Sequence, residues 1–579
     1  MGSPFFGLDI GASALRTAQQ LLDTAAHNVA NANTPGYSRQ AVTVVESPPY
    51  SLPAFNRTGM PGQIGSGVTV AAITRVRDSF LDLQVQVQAG LKGDWDTRQQ
   101  QLAKIEAIFP EPSDAGLGGT ISKYWNAWQD LAADPTSAAA RAALTEQAAS
   151  LAGEINRDSG QLGMVSAGID SLVDDQVATV NSLATQIASL NGQIMMVTGT
   201  GGHANDLMDQ REQLLEKLTA IVPATVTARQ DGSVTVLVGG TDLISNISTR
   251  QLITQKDASG RIVPAWADGS PVALQSGQLK ALLSVRDGDL ASYQSQLDSL
   301  AQGIADATNA IQARGFGATG AAGQPLFTYR PDSVAATLAV NQAVAADPRL
   351  VATSASSDTP GDGSVAGLMA DLRNAWSYAA GVPGTDVVSG SDLTTNGTAR
   401  LMTITAGRAA GQTWTFSGSG SSLTLTGADG STQTITVADM AAGVTQTLNF
   451  DQLGIELTIS STANTKAGAD LVADLTAVGH NTLVTASLFA VPQTTSDFYA
   501  GLVGKIGSAS SQAQEIAQNQ QLVVDQLNQR VEETSGVSLD EEATDMLRFQ
   551  HAYQAAARVI TIMDEMLNTL INDTGLVGR

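Results

Sequence analysis

The stretch that decides the fold is Asn31-Ala-Asn-Thr-Pro-Gly-Tyr-Ser-Arg-Gln40. Asn33 can close a helix because asparagine tolerates the left-handed conformation, and Pro35 cannot continue one. Gly36 leaves the backbone free to turn, and residues 37–45 then continue as an extended segment. The sequence therefore predicts an N-terminal helix that stops sharply and reverses into a strand-like arm.

Matching apolar stripes lie at the two ends of the chain. The N-terminal stripe is Leu8, Gly11, Leu15, Ala18, Leu22, Ala25, Val29 and Ala32. The C-terminal stripe is Met546, Phe549, Tyr553, Ala556, Ile560, Met563, Leu567 and Leu570. Both repeat at spacings of three and four, the heptad pattern of a coiled coil. The two helices can bury these stripes on each other or on neighbouring subunits. The alternative is two ordinary amphipathic helices, each packed on its own domain.

The interior of the chain alternates between two periodicities. Helical spacing runs through 94–109 and 120–158 and through the heptads of 290–311. Period-two alternation marks a hairpin at 226–238 and a stretch rich in Thr, Ser and Gly at about 385–465. The predicted fold class is mainly α with an inserted β domain, with terminal coiled-coil helices and an elongated helical rod.

The same patterns predict a division into segments. We expect a coiled-coil helix and arm at 1–45 that pairs with a coiled-coil helix at 536–579. Between them we expect a helical rod domain at 46–345 with a small hairpin near 221–255, a β-rich insert at 346–482 and a return helix at 483–535.

Composition excludes several classes of protein. The 579 residues carry 31 basic and 55 acidic side chains, a net charge of −24. That balance argues against binding to nucleic acid or to anionic lipid, which both need a cationic face. The absence of cysteine rules out disulfides and thiolate chemistry. No apolar run reaches the length of a membrane span, and the N-terminus does not read as a conventional signal peptide.

No residue pattern indicates catalysis. His27, His203, His480 and His551 lack a metal-binding spacing. The segment Asp9-Ile-Gly-Ala-Ser13 is similar to the phosphate-binding strand of sugar kinases, but it runs directly into a heptad helix, which favours a helix cap. We therefore expect no enzymatic activity, no cofactor and no metal.

The terminal segments resemble one known family. Asn31, Thr34, Pro35, Gly36 and Tyr37 match the segment Asn-x-x-Thr-Pro-Gly-Tyr of the flagellar axial proteins, which are the rod, hook and junction subunits. The segment 539–560 is similar to the other end of that family, and to its hook–filament junction subunits in particular. Segments 205–211 and 279–288 also resemble the junction subunits, whereas about 345–482 matches nothing. His551 stands where the family more often has glutamine.

The resemblance implies a role in assembly. It implies a structural subunit that is exported through the flagellar type III apparatus without a cleaved signal and lies outside the cell, at the junction between hook and filament. Its implied partners are the hook protein, the second junction protein, its own copies in a ring and a cytoplasmic export chaperone at the C-terminal region. The expected assembly residues are Leu15, Leu22, Val29, Asn31, Asn33, Thr34, Pro35, Gly36, Tyr37, Phe549, Gln550, Tyr553, Ala556, Ile560, Met563, Leu567 and Leu570.

Three alternatives remain. Another axial subunit, such as a hook protein, is disfavoured by the match at 539–560 and by the long helical middle. A coiled-coil surface adhesin needs a signal peptide. A cell-wall hydrolase on an axial scaffold needs a clustered catalytic site in 345–482, where the acidic residues are scattered among turns.

Overall fold

A computed structural model of the chain describes residues 6–48, 65–113, 116–373, 400–406, 413–427, 432–439, 441, 445–450, 455–460, 467–476, 482–484 and 494–569. These residues fall into two compact units. The first comprises Met1–Gln101, Gly168–Val285 and Ser511–Arg579. The second comprises Leu102–Ala167 and Arg286–Ser510.

Helix is the main element of the described chain. The α-helices are α1 (Phe6–Asn31), α2 (Ser79–Glu106), α3 (Leu117–Ala133), α4 (Ala138–Gly199), α5 (Asn205–Ile221), α6 (Gln278–Ser284), α7 (Ala291–Gln312), α8 (Val334–Thr337), α9 (Gln342–Ala346), α10 (Ser364–Asp371), α11 (Gly468–Thr476), α12 (Thr495–Ser535) and α13 (Leu539–Asn568). A π-helical turn at Val285–Leu290 joins α6 to α7. The expectation of a mainly α protein is confirmed.

The strands form small antiparallel sheets. They are β1 (Gln40–Glu46), β2 (Val68–Arg75), β3 (Ala224–Ala228), β4 (Val234–Val238), β5 (Thr241–Ser245), β6 (Ser248–Thr249), β7 (Leu252–Lys256), β8 (Ile262–Trp266), β9 (Phe327–Thr328), β10 (Ala339–Val340), β11 (Arg400–Ala406), β12 (Thr413–Ser419), β13 (Ser422–Gly427), β14 (Thr432–Thr436), β15 (Thr445–Phe450), β16 (Ile455–Ser460) and β17 (Thr482–Val484). Their orders are β3-β4-β5-β6, β14-β13-β12-β17 and β11-β16-β15, with the pairs β1-β2, β7-β8 and β9-β10.

In the first unit, α1 and α13 pack on each other and the arm lies against α1. The arm is the hairpin of β1 and β2, paired from Gln40 opposite Arg75 to Glu46 opposite Val68, with a register break at Thr43/Val44. The same unit holds the sheet β3-β4-β5-β6, in which Val234, Val236 and Val238 of β4 are buried.

The second unit has an aromatic core. Tyr124, Trp125 and Trp128 of α3 are buried together with Phe327. Two of the buried polar side-chain atoms in this core are hydrogen-bonded, as buried polar groups usually are. The Tyr124 hydroxyl lies 2.9 Å from Oγ1 of Thr308, and Trp125 Nε1 donates to the Thr495 hydroxyl at 2.9 Å.

The β-rich insert between α10 and α12 also belongs to the second unit. Phe416 of β12 and Leu423 and Leu425 of β13 are buried on one face of their sheet. Helix α11 packs on that sheet, where Gly418 approaches Val472 closely. The expected β insert in a helical protein is confirmed.

Candidate assembly site

The α1–α13 pair brings the two predicted stripes together within one chain. A side-chain Cβ on Gly11 would lie 2.9 Å from Ile560 Cγ1, and one on Gly7 would lie 2.8 Å from Met563 Cε. Real Cβ atoms do not approach other atoms so closely. The flexible end of Met563 can move aside at Gly7, whereas the branched side chain of Ile560 has less freedom, so Gly11 is the residue that allows the helices to pack at this distance.

The C-terminal stripe follows the face of α13 that meets α1. Ala556 is buried, and the larger side chains of this stripe are half-buried; these are Phe549, Tyr553, Ile560, Met563 and Leu567. Gln550 is exposed on another side of the helix. Leu570 lies outside the described residues.

The N-terminal stripe is covered along most of its length. Gly11, Ala18 and Ala25 are buried, and Leu15 and Leu22 are half-buried. Val29 departs from this pattern, since 37% of its surface remains exposed. Within one chain, therefore, Val29 is the least covered residue of the stripe, and Ala32 beyond it is half-buried.

The signature loop, Asn31 to Tyr37, follows directly. Helix α1 ends at Asn31, whose side-chain amide donates to the His27 carbonyl at 3.1 Å and whose Oδ1 accepts from the Thr34 hydroxyl at 3.2 Å. Gly36 has a φ of +76°, a conformation that favours glycine. The Gln213 amide of α5 donates to the Pro35 carbonyl at 2.5 Å. The loop is thus held at its ends, while Asn33, Thr34, Pro35 and Gly36 stay exposed.

Asn28 fixes the path of the chain after the loop. It is 1% exposed, and its Oδ1 accepts from the Tyr37 hydroxyl at 2.7 Å and from the Gln40 amide at 2.9 Å. Its Nδ2 donates to the Gln40 carbonyl at 3.0 Å. Burial, together with the negative charges of Asp206 and Asp209, raises the pKa of Tyr37 well above its usual range, so this hydroxyl stays protonated as a donor.

Asp209 of α5 holds the start of the arm. It is 4% exposed and accepts from the Ser38 amide at 2.9 Å and the Ser38 hydroxyl at 2.8 Å. Arg75 of β2 supplies the counter-charge at 2.7 Å, and Arg77 lies 3.5 Å away. A buried carboxylate with this many donors is fully compensated. Asp206 adds a contact, accepting from the Gln40 side chain at 2.7 Å.

Arg39 ties the arm to the start of α13. Its Nε lies 2.7 Å from Oε1 of the buried Glu542, and its guanidinium also approaches Glu541 at 3.4 Å and Asp545 at 3.8 Å. Its backbone amide donates to the Ser535 carbonyl at 2.8 Å. The stretch from Asn31 to Gln40, which contains the signature loop, therefore connects α1 to α5 and α13.

The sequence analysis did not identify the residues whose hydrogen bonds and ion pairs hold the loop and the arm in place. The sequence analysis gave Asn28 no role, and it included Arg39 only as part of the segment from Asn31 to Gln40. Asp206 and Asp209 were noticed only as part of a resemblance, without a role. Their one signal was their position within or near motifs, because no periodicity marks a side chain that acts through a distant partner.

The contacts of α1, α13, the signature loop and the arm are apolar packing, hydrogen bonds and ion pairs. Among the described residues, no group of three or more His, Asp or Glu side chains is placed to hold a metal ion. No helix in the described part of the chain is both long and apolar enough to cross a membrane.

Comparison with known proteins agrees with this geometry. Residues 102–327 match the family described as the flagellar hook-associated protein FlgK helical domain. Residues 8–37 match the flagella basal body rod protein family, and residues 528–573 match the C-terminal family of the flagellar basal body rod FlgEFG proteins.

Full-length relatives carry one name. Flagellar hook-associated protein 1 of Bacillus subtilis is 28% identical over 100% of both chains. Its namesake in Salmonella typhimurium is 28% identical, and that in Escherichia coli 27% identical, each over 97% of this chain and 98% of the relative. Over nearly its whole length the chain is similar to the flagellar hook-associated proteins. It is a structural subunit of the flagellum, at the junction between hook and filament, and associates with other flagellar axial proteins.

Two of the three matched segments of this chain coincide with the paired helices α1 and α13. The two rod-family matches cover α1 with the signature loop, and α13 with the end of α12. The β insert lies outside all three matches. A solved structure of the flagellar hook junction protein FlgK from Burkholderia pseudomallei aligns with 77% of this chain and 99% of its own, at 20% identity and a TM-score of 0.48.

Proposed function

We propose that this hook-associated protein joins hook to filament as a ring of copies that assemble through the α1–α13 pair. The observation that carries the proposal is the outer face of α13, defined by Leu547, Arg558, Val559, Ile562 and Met566. Its four apolar side chains are 40–59% exposed although α13 already packs on α1. Large apolar side chains exposed on one side of a helix are typical of protein–protein contacts.

The residues expected to mediate assembly divide into two groups under this proposal. Phe549, Tyr553, Ala556, Ile560 and Met563 hold the pair together within the chain. Val29 and the exposed loop residues Asn33, Thr34 and Pro35 are free to meet a neighbour. Assembly then needs both groups, because the inner contacts orient the surface that the neighbour recognises.

The outer face of α13 also supports a proposal for the partners of the chain and for its export route. The proposed partners are the hook protein, the second junction protein and further copies of the chain. An apolar face exposed in the cytoplasm invites premature association, and a chaperone on the C-terminal region would cover it until export through the type III apparatus. The final location is then outside the cell. The segment boundaries expected from the sequence, with the terminal helices as a coiled coil and the β insert at 346–482, remain part of this proposal.

The substitution Ile562→Asp tests the role of the outer face. Burying isoleucine at an interface is worth about 1.5–3 kcal/mol, and an unpaired buried carboxylate costs several more. We expect cells with this variant to keep hooks but lose attached filaments, while the purified protein melts as the wild type does. The control is Gln526→Asp, an exposed position of α12 that does not belong to the outer face. Normal filament attachment by Ile562→Asp would refute assembly through α13.

A further inference from the structure

A groove lies beside the signature loop in the first unit. Its volume is about 550 Å³. Thr34 and Pro35 of the loop form one wall, and the others come from α2, α5 and the end of α12. The loop residues that line it are exposed, so the groove is open to a partner.

The groove combines apolar and acidic side chains. Val85 of α2 and Val531 of α12 give it apolar walls, and Glu212, Glu216 and Glu532 give it negative charge. Among its described lining residues, Arg77 is the basic one, and this guanidinium already pairs with Asp82 at 2.7 Å. A ligand that fits must therefore offer apolar groups beside positive charge.

The outer face of α13 has that chemistry. Leu547, Val559, Ile562 and Met566 are exposed and apolar, and Arg558 is exposed among them. The chain has 31 basic and 55 acidic side chains, so its net charge opposes the approach of a second copy and favours contacts in which a basic group meets acidic ones.

The face cannot reach the groove of its own chain. Helix α13 starts at Leu539, directly after groove residues Ser535 and Val537, and continues without a break to Asn568. At about 1.5 Å per residue, Ile562 lies about 35 Å along the helix axis from that start. The face can therefore fill the groove of another chain only.

We propose that the groove beside the signature loop receives the outer face of α13 from a second copy of this chain. The contact is heterologous, since groove and helix are different surfaces, and heterologous contacts generate rings or helical arrays rather than closed pairs. This inference rests on the proposed function and adds the surfaces through which one copy recognises the next.

Disulfide trapping tests the contact, because the chain has no cysteine of its own. Asn528→Cys places a thiol in the groove, and Ile562→Cys places one on the outer face. Flagella assembled from a mixture of the two single variants are oxidised and analysed on non-reducing gels. A disulfide forms only when the two Cβ atoms come within about 4.5 Å. We expect a cross-linked dimer in the mixture and in neither variant alone.

The matched control is Gln526→Cys, which is exposed on the same helix but does not line the groove. We expect at least about tenfold less dimer from its mixture with Ile562→Cys. Equal dimer from both mixtures, or none from Asn528→Cys in flagella that contain both proteins at the junction, overturns the groove contact and leaves the junction function standing. Absence of the protein from the flagellum would instead contradict the proposed function.

A charge exchange provides the second measurement. Glu532→Lys and Arg558→Glu should each reduce filament attachment at least about tenfold, since each places like charges together. The chain that carries both substitutions restores an opposite pair between copies and should recover attachment. Failure of the double variant to improve on either single variant contradicts the proposal.

Discussion

Asp158 shows how one buried side chain makes stability depend on pH. It lies in α4 with 1% of its surface exposed, and the Arg157 guanidinium is 3.2 Å away. Burial raises the pKa of the Asp158 carboxyl to about 6, from an ordinary value of 3.8, although Arg157 acts in the opposite direction. The folded protein therefore favours the protonated acid more than the unfolded chain does.

The sign of the pH effect follows from that shift. Above about pH 6 the folded protein carries a buried carboxylate, and its cost disappears as the pH falls toward 4. The variant Asp158→Asn lacks this titration. We expect the free energy of unfolding of the wild type, relative to Asp158→Asn, to rise by about 1–3 kcal/mol between pH 7 and pH 4. Urea denaturation of both proteins across that range measures it, and a constant difference would contradict the account.

The residues that hold the loop and the arm in place could not be predicted from the sequence, whereas the loop itself could. Pro35, Gly36 and Tyr37 were predicted correctly as a stop and reversal, because backbone chemistry alone determines them. Asp209 receives bonds from Ser38, 171 residues away in the chain. A carboxylate whose role depends on such a distant partner carries no local pattern that reveals it.

At the scale of elements, Gly11 is a point where α1 and α13 approach each other closely. The stripe pattern predicted the contact face of α13 well, because its large apolar side chains recur at heptad spacing. The face of α1 was harder to predict, since α1 also packs on the arm. Its buried residues include Thr17, Thr24 and Asn28 as well as the small residues of the stripe.

The substitution Gly11→Leu should separate the two terminal helices. Its Cβ alone would lie 2.9 Å from Ile560, so the longer side chain has no room. Leucine is the better helix former by about 0.8 kcal/mol, so any loss comes from packing rather than from helix propensity. We expect faster hydrogen exchange throughout 8–31 and 546–568 in the purified protein. Ala26→Leu, at an exposed position of α1, is the control and should leave exchange slow. Unchanged exchange in Gly11→Leu would mean that the pair does not depend on this approach.

At the scale of the whole molecule, the sequence predicted the class of fold and the family together. A helical protein with a β insert followed from a change of periodicity, from about 3.6 to 2, that is visible in residues 413–437. The packing of α7 followed from its apolar repeat, and Tyr293, Leu297, Leu300 and Ile304 are indeed buried. The aromatic core around Trp125 was not foreseen, since its hydroxyl partner Thr495 is 370 residues away.

The central claim is that copies of this chain form one ring at the junction between hook and filament. Cryo-electron microscopy of intact flagella tests it most directly, with an antibody or a fused tag on this chain to identify its density. The account predicts a single short zone of this protein between hook and filament, with α1 and α13 of each copy paired and in contact with their neighbours. Density for this protein along the whole hook or the whole filament, or its absence from the flagellum, would contradict it.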